Sequence, residues 1–286
     1  MNFTPHSVHL LVRAGLLALA VAATGCATHT AHDTSDFAHT GTAYTQAARQ
    51  VNAVAKQESL AFSARVLPSL PRKPDVLAAQ SQAMRERVAL SATVDTQLGL
   101  LENYFRVLGN LASNKRGYGS EKANATLARL AYQMGNQPMG MSHSQSEGLA
   151  KVVVHVAQNH ALKETLKRDG QTVYNTLAVL VDILAQQADW LRTRQDLTRQ
   201  VAYRDEVEKP FLAGETLGKD WQTAWAESIN PRNTLEAVEK AQSAANALLA
   251  SWKNLLETES APELAELQTS VSQLQSRVFT LTLEAP

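Results

Sequence analysis

Leu264, Leu267, Val271, Leu274, Val278 and Leu281 recur at alternating spacings of three and four residues, with serine, glutamine and threonine among the residues between them. That spacing places all six on one stripe of an α-helix and makes a coiled-coil-type seam. A half-buried strand would need apolar residues at every second position, and no such alternation occurs in the chain. The same spacing recurs upstream, in Leu235, Val238, Gln242, Ala245, Leu249, Trp252 and Leu256, and again between Val94 and Leu108. Asn230-Pro231 is the predicted start of the first of these helices, with asparagine as cap and proline at the first helical position. Helix breakers are sparse, at 13 glycines and 9 prolines in 286 residues, and isoleucine is confined to Ile183 and Ile229. Such a composition favours helix over strand. The expected fold is all-α: an elongated antiparallel helical bundle with long helices and coiled-coil-like packing.

Further helices follow from the same reading. Tyr44, Ala48, Val51, Ala55 and Phe62 predict a one-sided helix over 43–64. Pro68, Pro71 and Pro74 then force a corner. A long helix is predicted over 75–112, capped by Asp75, with an apolar face from Leu77 to Leu111. A shorter one starts at Ser120 and ends near Met134, followed by a loop over 135–146. The next carries Leu149 to Leu166 and is predicted to stop at Lys167-Arg168-Asp169-Gly170, with the glycine as C-cap. From Gln171 to about 208 a helix is apolar on nearly all sides between Thr176 and Ala185, as a central helix would be. Asp182 interrupts that run and is expected to face solvent or to pair with a cation. Pro210 ends or kinks the helix. Trp221 and Trp225 lie one turn apart and are expected in the core; the other reading is an exposed pair that binds a glycan or a partner.

The N-terminal stretch constrains location. Ala14 to Ala23 is apolar and uncharged, too short for the roughly 20 residues of a membrane span, and of the length of a secretory signal. Ala23-Thr24-Gly25 leads to Cys26, the only cysteine in the chain. These residues resemble the lipobox of bacterial lipoproteins, where small residues precede a cysteine that is diacylated and becomes the mature N-terminus. Ala23 departs from the pattern, since leucine is usual there. A lone cysteine forms no internal disulfide and is a liability in an oxidising compartment; lipidation gives it a use. The resemblance implies a signal peptide over 1–25, lipid attachment at Cys26 and anchoring to a membrane. Ala27, in place of aspartate, implies the periplasmic face of the outer membrane by the same resemblance. The Thr/His/Asp-rich segment up to residue 42 is predicted to be a flexible tether, with His29, His32 and His39 as polar linker residues. A single helical body is expected over 43–286.

Charge and motifs exclude several functions. The chain has 27 basic and 27 acidic residues, and removal of residues 1–25 takes away only Arg13. No basic footprint remains for nucleic acid. Zinc-protease His-Glu-x-x-His, the Gly-x-Ser-x-Gly elbow, the Walker loop and the dinucleotide glycine pattern are all missing, so no enzyme, catalytic residue or cofactor is expected. Met134, Met139, Met141 and His143 form the one cluster of soft donors, and the Met139-x-Met141-x-His143 spacing suits Cu(I). Packing of the methionines onto the bundle end is the other reading, so no metal is assigned. His155 and His160 are about 140° apart round a helix and cannot share a ligand. The sequence therefore predicts a lipid-anchored envelope protein that binds another envelope protein as a scaffold, adaptor or accessory factor. A membrane-active or secretion-system component, and a metal or small-ligand binder at the Met134–His143 loop, are the alternatives. The oligomeric state stays open, although the C-terminal seam is expected to pair within the chain.

Overall fold

The computed structural model describes residues 6–113, 120–136, 160–229, 233–257 and 264–283. Among them every regular element is helical. Helix α1 is His6–Val66, α2 Pro74–Ser113, α3 Ser120–Asn136 and α4 His160–Ala202. A π-helical turn, Tyr203–Glu208, links α4 to the short α5, Lys209–Leu212. Then come α6 Lys219–Ile229, α7 Thr234–Glu257 and α8 Leu264–Leu283. The proline corner is where the sequence put it. A single 3-10 turn, Leu67–Ser69, closes α1, and Pro74 opens α2 where its missing N–H is not needed. Asp75 sits inside the first turn of α2 rather than ahead of it.

Helices α1 and α2 pack with a register fixed by polar pairs. Arg49 grips Asp95 with two hydrogen bonds, 2.9 and 3.1 Å. The buried Asn52 amide donates to the Ser91 carbonyl (2.9 Å) and its oxygen accepts from the Ser91 hydroxyl (3.1 Å). As residue numbers rise along α1, their partners on α2 fall, so the two run in opposite directions. The Arg49 hydrogen bonds hold the Asp95 carboxyl below its ordinary range. Both side chains are more than 40% exposed, so this pair fixes register more than it adds stability.

The tether predicted for 27–42 is corrected from Thr34 onward. Thr34, Phe37 and Ala38 of α1 are fully buried and Ser35 nearly so. Phe37 meets Phe105 and Trp252 with ring centroids 5.6 Å away in each case. The threonines that suggested a linker satisfy themselves within the helix. Thr40 and Thr42 donate to the carbonyls of Asp36 and Ala38, four residues back, at 2.8 and 2.9 Å. Phe37 is the large side chain among the buried residues of this polar turn.

Trp252 of α7 is the centre of the core. With Phe37, Tyr104 and Phe105 it forms a fully buried aromatic cluster, and its indole N–H donates to the Gly170 carbonyl at 2.9 Å. Gly170 is therefore not the predicted C-cap: α4 runs straight through it. A Cβ there would lie 2.8 Å from a Leu256 methyl, so glycine serves the close approach of α7. Next to it, Asp169 is 2% exposed. Its carboxylate accepts from Arg168 at 2.6 and 2.7 Å and from the Tyr104 hydroxyl at 3.4 Å. Arg168 also reaches the Asn124 carbonyl of α3 (3.3 Å), while the Thr165 hydroxyl donates to the Asn124 side chain.

The C-terminal seam lies inside the chain. Leu267, Val271, Leu274, Val278 and Leu281 are each at most 6% exposed, packed on α7 and α1. Helix α7 is described from Thr234. Its cap is Asn233, whose oxygen accepts the Glu236 N–H and whose amide donates to the Glu236 carboxylate, both at 3.1 Å. This is a capping-box arrangement read at Asn233-x-x-Glu236; residues 230–232 lie outside the described ones. The α2 face predicted to be buried from Leu77 is covered only from Ser91, and Leu77 is 52% exposed.

Two glycines of similar helical setting should respond oppositely to alanine. At Gly41 a Cβ would stand 2.8 Å from the buried Phe105 ring, whereas at Gly99 it would meet nothing within 4 Å. Gly99→Ala gains about 1 kcal/mol of helix propensity. At Gly41 overpacking of about 1–3 kcal/mol outweighs that gain. Urea unfolding of the two variants is expected to move the midpoint up for Gly99→Ala and down for Gly41→Ala.

Alkaline pH should open this core. Burial pushes the Tyr44 and Tyr104 phenols above their ordinary range, and for Tyr104 the Asp169 charge adds to it. A phenol whose folded pKa is raised contributes stability that is complete below its unfolded pKa, ~10, and is lost as pH rises beyond it. Tyrosinate absorbance followed with circular dichroism should show these two phenols ionising only together with loss of helix.

Candidate functional site

Among the described residues the packed helices leave a stack of aromatic rings uncovered on the segment that follows α4. Pro210 cannot donate to the helical ladder and its ring crowds the carbonyl four residues back. The helix widens into the π-turn just before it, with Val207 as the one buried side chain of that turn. The chain then reverses. Ala213 N–H bonds to the Lys209 carbonyl (2.9 Å), Glu215 N–H to that of Pro210 (3.1 Å), and Gly214 takes φ 68°. Only glycine adopts this value without strain. Helix α6 folds back onto the turn, where the Trp221 indole donates to the Val207 carbonyl at 3.0 Å. Arg65, at the end of α1, ties both strands of this reversal through Glu206 (3.3 Å) and Glu227 (3.8 Å).

The reversal aligns three rings. Phe211 stacks on Trp221 (6.2 Å, 20° between planes) and Trp221 on Trp225 (6.3 Å, 7°). The stack faces out. Phe211 is 61% and Trp225 48% exposed, flanked by Leu212 at 74% and Ile229 at 69%. The core position expected for the tryptophan pair is thereby corrected for Trp225, while Trp221 is half-buried. Among the described residues α6 packs chiefly on the π-turn, with Arg65 of α1 reaching Glu227. Residues 203–229 carry six acidic and three basic side chains, so the segment that bears the rings is net acidic. Chemically, stacked aromatic rings of this kind offer apolar contact area with a polar handle at each indole N–H.

The other residues singled out in the sequence fall elsewhere. Met134 is on α3 and 3% exposed, packed in the core rather than in a loop. Met139, Met141, His143 and His155 lie outside the described residues. Cys26 and His160 fall within α1 and α4, their side chains outside the described ones. Asp182 is exposed. His32 contacts Asp36 at 3.5 Å on the surface of α1. Among the described residues no three His, Cys, Asp or Glu side chains are grouped to hold a metal ion. No described helix is long and apolar enough to cross a membrane. The clue to the surface in the sequence was Pro210-Phe211-Leu212 followed by Gly214: large apolar residues beside a break, outside any helical stripe. Comparison with protein-family models, curated proteins and solved structures gives no match.

Proposed function

We propose that the chain is a lipid-anchored protein of the cell envelope that acts by binding: a scaffold, adaptor or accessory factor. It holds a partner protein against the Phe211–Trp221–Trp225 surface. Cys26 would carry the acyl anchor, and the body would be an elongated antiparallel bundle with coiled-coil-like seams, standing on the periplasmic side. The observation that carries this reading is the exposed ring stack. A contiguous apolar surface of this kind is unfavourable in water unless it serves an interaction, and tryptophan is the residue most enriched among binding hot spots. The excess of acidic residues over 203–229 favours a partner with a basic margin around its apolar anchor, and disfavours an anionic lipid surface.

Two experiments test the two halves. A photo-crosslinking amino acid at Trp225 in cells should capture one dominant protein that is not captured from Tyr132, an exposed position on α3 (73%). The same products from both positions would count against the surface. Acyl labelling should be abolished by Cys26→Ser; retained label would remove the anchor.

A further inference from the structure

A second feature, remote from the ring stack, points to a small ligand. A groove of about 420 Å³ runs between α1, α2 and α4, within the usual range of small-molecule sites. Its apolar wall is Leu90, Val94, Ile183 and the face of Trp190, and its cations are Lys56 and Arg87. The one acid in the lining, Glu86, is exposed and accepts from the Gln82 amide at 2.7 Å. Arg87 lies with its guanidinium 4.0 Å from the Trp190 ring centroid. Arg194 approaches the same ring at 4.8 Å, and Phe62 packs edge-on against it at 5.5 Å.

Arg87 is the unusual residue. It is half-buried, and among the described residues its interaction is with the Trp190 ring and with no carboxylate. Burial and the neighbouring Arg194 charge both act against its cationic form and lower its pKa. A guanidinium in this position is unfavourable for the empty fold, since a desolvated charge wants a paired anion. Elsewhere in the bundle arginines on these helices do meet anions: Arg49 has Asp95 and Glu102, and Arg192 has Asp189 and, from α7, Glu239. At Arg87 the described residues set no such anion against the guanidinium. Trp190 fixes the guanidinium plane by stacking, and the fork of donors that remains matches a carboxylate or a phosphate.

We propose that this groove binds an anionic amphiphile, with its carboxylate or phosphate head on Arg87 and Lys56 and its apolar body along Trp190, Ile183, Leu90 and Val94. The site is independent of the ring stack and of the partner it would hold. Equilibrium dialysis of the purified full chain against octanoate and octyl phosphate tests it, and the two arms tell the head groups apart. One equivalent of at least one of them should bind saturably. Arg87→Gln should weaken binding about tenfold or more, as expected for loss of a charge-assisted hydrogen bond. Lys56→Gln should weaken it less, and Arg87→Lys should restore part of the loss. Thermal melting separates this role from a structural one: Arg87→Gln removes a charge opposed by Arg194, so the Tm should stay level or rise. Unchanged affinity in Arg87→Gln and Lys56→Gln would overturn the proposal. So would equal binding of octyltrimethylammonium. Inorganic phosphate binding as tightly as octyl phosphate would remove the apolar half of the assignment.

Discussion

Trp252→Ala is expected to lower the unfolding free energy by about 4 kcal/mol, the middle of the range for deleting a buried tryptophan. The indole is fully buried. Its neighbours Phe37, Tyr104 and Phe105 approach it at 5.6, 6.2 and 6.3 Å between centroids. These rings belong to α1 and α2, which are locked together by their own pairs, Arg49 with Asp95 and Asn52 with Ser91. They cannot collapse into the space without shifting two helices, so the cavity persists. The Gly170 carbonyl also loses its indole donor, a further effect of about 1 kcal/mol. Trp252→Phe separates the two terms. It keeps much of the apolar volume and loses the donor, for an expected loss of about 1–2 kcal/mol. Urea unfolding followed by far-ultraviolet circular dichroism measures both. A Trp252→Ala loss no larger than that of Trp252→Phe would show that the cluster is not the centre of the fold.

Arg168→Ala should be the next most damaging change, at about 3 kcal/mol, and should exceed Asp169→Asn. The asymmetry follows from burial. Asp169 is 2% exposed and Arg168 43%. Removing the arginine leaves a carboxylate in the core with the 3.4 Å Tyr104 hydroxyl and no cation, the expensive way to break a buried pair. Removing the carboxylate charge instead leaves an arginine that can turn to water and still reach the Asn124 carbonyl. Asparagine keeps an acceptor for Tyr104, so about 1–2 kcal/mol is expected. The reverse order in the same unfolding assay would mean that Asp169 is stabilised by something other than Arg168.

The helices were legible where burial is one-sided and periodic. The seam from Leu264 to Leu281 is the clearest case, because a strict 3-4 spacing has no other economical folded solution. Local composition misled where a few residues outweigh many. In 27–42 a Thr/His/Asp-rich stretch looked like a linker, yet Thr34, Phe37 and Ala38 are buried and Thr40 and Thr42 bond back to their own helix. Gly170 looked like a helix end because basic residue, aspartate and glycine form the usual stop signal. Its real constraint is a Leu256 methyl 86 positions away in the chain, which no local window contains. The exposed ring stack was half legible. The i, i+4 spacing of Trp221 and Trp225 was plain, but which way they face depends on whether another helix covers α6. The groove at Arg87 was not legible, since it needs α1, α2 and α4 brought together and an arginine left without an acid.

One geometric consequence follows from the unbroken run of α1 from Cys26 to Arg65. The first fully buried of the described side chains, Thr34, comes only eight positions after Cys26, so a group attached at Cys26 would have little slack from the rigid body. Arg65, which clamps the ring stack through Glu206 and Glu227, lies 39 residues beyond Cys26 on the same helix. At 1.5 Å per residue that is roughly 60 Å. With a lipid at Cys26, α1 would work as a ruler: it would set a fixed standoff between the bilayer and whatever docks on Phe211, Trp221 and Trp225. Inserting or deleting whole turns in the part of α1 that precedes Thr34 would then tune reach without touching the surface itself.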